Sequence, residues 1–202
     1  MLQAAPTPFA AALLAGGQSR RMGQDKALLD WGGKPLWQVQ LGKIATLNPE
    51  RVLLSCREVQ ALSPAPLGVQ TVYDPPDNQG PLPAIWRCLD QVQLPLLVLG
   101  VDMPGMTADF LGEIVQRGLS VSGRGAVYEG SRGFEPLAAL YPVEVLPLLK
   151  EAVDTGNYRL QAFVRAAVEA GLLEVLPMTA HAAGCFSNLN TPEDFRQSNA
   201  EL

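Results

Sequence analysis

Arg20, Arg21 and Lys26 fall within seven positions of the stretch LLAGGQSRRMGQDK (residues 13–26), just behind the paired glycines Gly16 and Gly17. Glycines at the end of an apolar run let backbone N–H groups approach an anion with no Cβ in the way. Arginine and lysine add charge-assisted hydrogen bonds, and the forked guanidinium suits phosphate. The chemistry such a stretch serves is the holding of a polyphosphate. It also reads as a glycine turn followed by a solvated Arg-Arg pair, and residue types alone leave both readings open. Two familiar phosphate loops are excluded by inspection: there is no G-x-x-x-x-G-K-[ST], and no G-x-G-x-x-G followed by a ribose-binding acid.

Two acids stand where such a loop would need them. Asp102 closes the apolar run PLLVLGVD, with Met103 and Pro104 behind it. A carboxylate at the edge of a buried strand costs desolvation unless it is paired. A Mg²⁺ ion bound by one or two carboxylates together with phosphate oxygens would pair it; so would a role as a helix cap. Asp74 ends VQTVYD in the same way, and there the alternative is a turn aspartate before PPDNQGP.

These residues need a sheet edge to bring them together. FAAALLAG (9–16), RVLLSC (51–56), VQTVYD (69–74) and PLLVLGVD (95–102) are short apolar runs without polar alternation, as expected of strands covered on both faces. PLWQVQLGKIATL (35–47) and LPAIWRCLDQV (82–92) have helical length and patterning. The alternation predicts right-handed βαβ units and a mainly parallel sheet, whose ligands gather beyond the carboxyl ends of the strands. Further on, GAVYEG and EPLAALY read as strands around a turn at SRG, and LLEVLPM as another strand. VEVLPLLKEAV and RLQAFVRAAVEAG read as helices, the first weakened by Pro147. NTPEDF carries a helix start, with Thr191 as cap, Pro192 in the first turn and Asp194 completing a capping box.

The 202 residues suit one domain, and 48% apolar content excludes a disordered or fibrous chain. A net charge of −5 argues against a general nucleic-acid or anionic-membrane surface, which makes a local cationic loop more informative. No apolar run approaches the ~20 residues of a membrane span, and MLQAAPTP lacks the features of a signal peptide, so the expected compartment is the cytoplasm. Cys56, Cys88 and Cys185 are expected as reduced thiols. His181 and Cys185 stand four apart and could meet on a helix, but HAAGCFSN contains a glycine and reads as poor helix, so Cys185 is read as packing. Trp31, Trp37 and Trp86 are likewise read as packing.

Taken together, LAGGQSRRMGQDK, YDPPDNQGPL, VDMP and NLNTPED, in that order, resemble the successive motifs of the molybdenum cofactor guanylyltransferases, from about residue 10 to 196. The resemblance implies an α/β chain: a three-layer αβα Rossmann-like nucleotidyltransferase fold with a mainly parallel central sheet. It would form a single domain over 9–202 behind a flexible N-terminus (1–8). It implies transfer of GMP from Mg·GTP to the phosphate of molybdenum-bound molybdopterin, with release of pyrophosphate. On matching positions, Leu14, Ala15, Gly16 and Gly17 would hold the nucleotide, with Lys26 on its phosphates and Arg21 assisting. Asp74 would contact the guanine nucleotide, and Gly80, Pro81 and Leu82 would form a further binding turn. Asp102 would bind Mg²⁺, and Asn188 and Asn190 would lie near the pterin, though on residue type alone they read as turn formers. Arg21, Lys26 and Asp102 would make up the catalytic set. The implied partners are the two substrates and, in passing, molybdopterin-delivering and molybdoenzyme-maturation proteins, with neither nucleic acid nor membrane.

The sequence departs from the family pattern at Val101, where cysteine is frequent, and at Pro83, where alanine is. Ser55, Cys56 or Arg57 occupies the place of an asparagine that often contacts the base. The rival readings are a CMP-transferring sibling, which tends to read Leu-Ala-Ala-Gly where Leu14–Gly17 read Leu-Ala-Gly-Gly, a sugar-1-phosphate nucleotidyltransferase, and a catalytically silent nucleotide-binding partner in cofactor assembly. Intact Lys26 and Asp102 speak against the last.

Overall fold

A computed structural model describes residues 7–17, 25–60, 62, 65–74 and 79–186. The strand formers of the chain assemble into β1 (Ala10–Leu14), the two-residue strands β2 (Asp30–Trp31) and β3 (Lys34–Pro35), β4 (Arg51–Cys56), β5 (Val69–Tyr73), β6 (Leu96–Gly100), β7 (Gly125–Gly130), β8 (Gly133–Tyr141) and β9 (Leu173–Pro177). The helices are α1 (Leu36–Ala45), α2 (Pro81–Val92), α3 (Ala108–Gly118), α4 (Leu146–Asp154), α5 (Leu160–Glu169) and α6 (Ala180–Cys185). Strands β2 and β3 form a small separate ribbon, and the other seven make one sheet in the order β5-β4-β1-β6-β8-β7-β9.

The pairs β4–β5, β1–β4, β1–β6 and β7–β9 are parallel, and β8 runs antiparallel to both β6 and β7. Among the strands of the described residues only β8 therefore points against the rest, so the sheet is mainly parallel as expected. Alternation along β1 shows why its run carries no polar residue. Ala11 and Leu13 pack into one apolar layer, with α1, α3 and α6, while Ala10, Ala12 and Leu14 pack into the other, with α2, α4 and α5. The result is three layers, helix on sheet on helix.

Local chemistry sets the helix ends. In α2, Gly80 takes φ 84° immediately before Pro81 at the first helical position, and Gln93 closes the helix in the left-handed region. In α3, the Thr107 side chain accepts from the Phe110 N–H. Pro147, the residue that weakened the helix reading of 143–153, lies in the first turn of α4. A short 3-10 turn over Val143–Val145 precedes it, so the proline removes no helical hydrogen bond.

The stretch around Cys185 departs from expectation: Ala180–Cys185 is helical. Thr179 caps it by accepting from the Ala182 N–H, and Ala182, Cys185 and Phe186 are buried. Capping and burial outweigh the cost of Gly184, which is about 1 kcal/mol for a glycine in a helix. Among the described residues no helix is long and apolar enough to cross a membrane. The proposed helix start at Thr191, Pro192 and Asp194 lies outside the described residues, as does most of the N-terminal segment.

Strand β8 is longer than its neighbour. Pairing with β6 ends at Leu99 opposite Ala138, so residues 133–136 of β8 extend past the carboxyl end of β6. Gln161 on α5 steadies that overhang, accepting from the Phe134 N–H at 3.0 Å and donating to the Phe134 carbonyl at 2.7 Å. At the other end of β8 the fully buried Tyr141 hydroxyl donates to the Pro136 carbonyl at 2.8 Å. Tyr141→Phe is expected to lower stability by about 1–2 kcal/mol through the orphaned carbonyl, read from urea denaturation; an unchanged midpoint would show that the bond contributes nothing.

Candidate active site

Because β1 feeds β4 on one side and β6 returns on the other, the strand order reverses at β1, the place where open α/β sheets form a crevice. A cavity of about 210 Å³ lies there. Its walls come from the carboxyl ends of four adjacent parallel strands: Leu14, Ala15, Gly16 and Gly17 after β1, Ser55 in β4, Asp74 after β5, and Gly100, Val101 and Asp102 after β6. Lys26, Gly80, Pro81, Ala84 and Leu137 complete it.

Lys26 and Asp102 meet at the rim. They are 76 residues apart in sequence, and the Lys26 Nζ donates to Asp102 Oδ2 at 3.1 Å. Parallel pairing of Leu14 with Gly100 brings their supporting segments side by side. Lys26 begins a 3-10 turn capped by Asp25, whose Oδ1 accepts from the Ala27 N–H at 3.1 Å. The other oxygen of Asp25 accepts from Arg57 Nη2 at 2.9 Å and from Gln60 Nε2 at 2.7 Å. Gln60 Nε2 also donates to the Ala15 carbonyl at 2.9 Å. One amide thus joins both flanks of the cationic stretch, the segment leaving β1 and the segment entering Lys26. Arg20 and Arg21 fall between these flanks and lie outside the described residues, as do Asn188 and Asn190.

The second acid sits deeper. Ser55 Oγ donates to Asp74 Oδ1 at 2.5 Å, and Asp74 Oδ2 lies so close to Gly16 that a Cβ there would come within 1.5 Å of it. Glycine at 16 is therefore a steric requirement of the pairing between β1 and the acid after β5. The cavity's far wall is the first turn of α2, where Pro81 and Pro83 carry no N–H and only the Leu82 and Ala84 amides remain as backbone donors. Gly80 and Pro81 reach it, but the Leu82 side chain does not: it is fully buried among the apolar residues between α2 and the sheet.

Sequence reading singled out the glycines, Lys26 and both acids. It missed Gln60 and Leu137, and gave Ser55 no role beyond standing at a vacant family position. For Ser55 the available signal was a lone polar residue inside an apolar strand. The thiols are inert packing. Burial pushes Cys56 up to about 11, with Asp74 adding to the rise, and Cys88 up to about 12. Burial also raises Cys185, and the Glu113 charge adds to the rise, against a hydrogen bond from the Thr107 backbone and the nearby Lys43. Trp31 and Trp37 are buried and Trp86 packs against the second layer.

The family model of the MobA-like NTP transferase domain matches residues 11–171. The chain belongs to that family. A relative in Opitutus terrae named "Probable molybdenum cofactor guanylyltransferase" is 34% identical over 197 residues, 96% of each chain. The molybdenum cofactor guanylyltransferase of Pseudomonas putida is 32% identical over 190 residues, covering 92% of this chain and 95% of its own. Among solved structures, molybdopterin-guanine dinucleotide biosynthesis protein A of Archaeoglobus fulgidus superposes with a TM-score of 0.78 at 21% identity, covering 96% of this chain and 98% of that one, which shows the shared fold. This MobA-like transferase is a nucleotidyltransferase, and the cavity at the β1/β6 switch point is its candidate active site.

Burial raises Asp74 above the ordinary carboxylate range, against the lowering effect of the Ser55 hydrogen bond and of Arg87 and Arg57. A carboxyl whose folded pKa is raised holds its proton more tightly in the folded chain. The stability it contributes is complete below the unfolded pKa and is lost as pH rises through the folded value. Asp74→Asn is therefore expected to melt about 2–4 °C higher than the wild type at pH 7, with the two curves converging below about pH 4. A variant less stable at pH 7, or a gap that ignores pH, would contradict a buried, strained carboxylate.

Proposed function

We propose that this chain transfers GMP from Mg·GTP to the phosphate of molybdenum-bound molybdopterin, forming the guanine dinucleotide and releasing pyrophosphate. The observation that carries the reading is the facing of Lys26 and Asp102 across the cavity rim, beside Gly16 and Gly17. The names and near-full-length similarity of the relatives support guanylyl transfer over its CMP-transferring sibling and over a silent nucleotide-binding partner.

In this reading the triphosphate lies along the segment after β1, with Lys26 leaving Asp102 to contact phosphate oxygens. At an effective dielectric near 20, a cation and an anion ~4 Å apart attract by ~4 kcal/mol before desolvation. The nucleoside end enters the deeper cavity between Asp74 and the first turn of α2. Ser55 holds one oxygen of Asp74 and so sets the carboxylate's orientation. Guanine presents adjacent N–H donors on its pairing edge, which a carboxylate can accept. Arg21 would assist on the phosphates and Asn188 and Asn190 would lie near the pterin, as the motif resemblance implies.

Asp102 is the residue that would hold Mg²⁺. Its half-buried carboxylate opens on the cavity where phosphates would lie, and such an ion needs only one or two protein carboxylates beside phosphate oxygens and water. When bound, the ion neutralises phosphate charge and polarises the α-phosphorus toward attack. The acceptor phosphate is already an anionic nucleophile: its oxygen forms a bond to the α-phosphorus as the bond to the pyrophosphate oxygen breaks. No side chain need remove a proton, which suits a chain with one histidine. Positioning and charge neutralisation carry the rate. The reaction's soluble substrates fit a cytoplasmic enzyme acting in passing with the proteins that deliver molybdopterin and receive the product.

Incubation with molybdopterin, Mg²⁺ and each of GTP, CTP, ATP and UTP, with product mass as readout, is expected to give the guanine dinucleotide alone; a cytosine product would move the chain to the sibling activity. Asp102→Ala should cut turnover at least about a hundredfold while leaving the melting curve intact. Lys26→Ala should weaken GTP more than the pterin, and equal affinities for both in that variant would remove Lys26 from the phosphate site.

A further inference from the structure

Among the described residues, apart from aromatic and cysteine side chains, two polar side chains are fully buried, Gln40 and Ser55. Ser55 is accounted for by its bond to Asp74. Gln40 lies on α1 among Leu36, Trp37, Leu41 and Ile44, where an aliphatic side chain would pack without any polar group to satisfy. Burying an amide costs about 1–3 kcal/mol unless its hydrogen bonds are met, and Gln40 Oε1 has no partner. What Gln40 gains instead is on its nitrogen. Nε2 donates to the Met103 carbonyl at 2.8 Å and to the Val101 carbonyl at 3.5 Å. These are the carbonyls of the residues on either side of Asp102.

One turn further along the same face of α1, Lys43 Nζ donates to the Pro104 carbonyl at 2.7 Å. Among the described residues the segment 101–104 is also held by two backbone bonds, Val101 N–H to the Leu14 carbonyl and Met106 N–H to the Met103 carbonyl, and by Lys26 at the Asp102 carboxylate. Helix α1 thus grips the bend after β6 at three carbonyls and touches Asp102 itself at none. A carboxylate that must meet a small, strictly octahedral cation gains from a fixed backbone beneath it.

We propose that Gln40, assisted by Lys43, is a positioning residue for Asp102, fixing the bend that carries the carboxylate so that it binds the divalent cation of the metal–nucleotide complex. This rests on the assignment of Asp102 to the metal made above. Outer groups that orient a ligand typically change metal affinity by about 10–100-fold when lost. Gln40→Met preserves length and removes the donor.

The test is Mn²⁺ affinity of the full chain in the presence of GTP, read from the free Mn²⁺ resonance signal, alongside melting curves and steady-state rates over a Mg²⁺ titration. Gln40→Met is expected to weaken Mn²⁺ about tenfold and to raise the Mg²⁺ concentration for half-maximal rate in step, with the KM for GTP at saturating metal little changed. Lys43→Met should act in the same direction and less strongly. Ile44→Val, a fully buried neighbour on the same helix, should lower the melting temperature without altering Mn²⁺ affinity. If Gln40→Met loses stability but keeps Mn²⁺ affinity within about twofold, the glutamine only satisfies buried carbonyls and the proposal falls. Should Gln40→Met fail to fold, Lys43→Met decides, and unchanged affinity there also overturns it. Asp102→Ala separates the two levels. If it weakens Mn²⁺ while Gln40→Met and Lys43→Met do not, only the bracing is wrong; if it leaves Mn²⁺ untouched, the metal assignment fails and the bracing with it.

Discussion

The contact between Lys26 and Asp102 organises the molecule. Ion pairs that solvent still reaches contribute about 0–1 kcal/mol to folding, so its importance lies in what it stores: a positive and a negative group 3.1 Å apart at the sheet's carboxyl edge. The parallel register of β1 with β6 brings the two segments together. Asp25, Arg57 and Gln60 fix the lysine's side, and α1 fixes the aspartate's side. Each charge is thereby held where the proposed reaction would use it, the lysine toward a polyphosphate and the aspartate toward a cation.

The site's two acids differ in the way their partners require. Asp102 faces a cation at the rim, with solvent nearby. Asp74 is deeper, with a hydroxyl as its hydrogen-bond partner, and burial raises its pKa. A ligand that donates hydrogen bonds to Asp74 relieves a cost already present in the resting protein. In the proposed reaction, nucleoside recognition and phosphate binding would draw on separate sources: relief of desolvation at one end, and exchange of charge partners at the other.

Much of this architecture was legible in the sequence. Arg51–Cys56 forms a strand over the span read from its apolar run, and β1, β5 and β6 fall inside their predicted runs. Strands β1 and β6, buried on both faces, leave an unbroken apolar word, while β5 at the sheet edge keeps exposed Gln70 and Tyr73 beside buried Val72. The glycines and acids were legible for the complementary reason, since a polar or small residue ending such a word marks the sheet edge. Helix α3 escaped the reading although Thr107 caps it and Asp109 stands in its first turn. Helix α6 has six residues, too few to display a period. The supports of the site were hidden more deeply. Gln40, Ser55 and Gln60 are single polar residues, and Gln40 and Gln60 act largely on carbonyls of distant segments, a partner that no side-chain pattern records.

The overhang of β8 gives the crevice unequal banks. Four residues of extended chain rise ~13 Å beyond the end of β6, stiffened by Gln161, and Leu137 at their foot lines the cavity. On the opposite side β4 and β5 stop level with the floor at Cys56 and Tyr73. Among the described residues the sheet edge is thus raised beside β6 and level beside β4 and β5, and the strand that raises it is the one that runs against its neighbours.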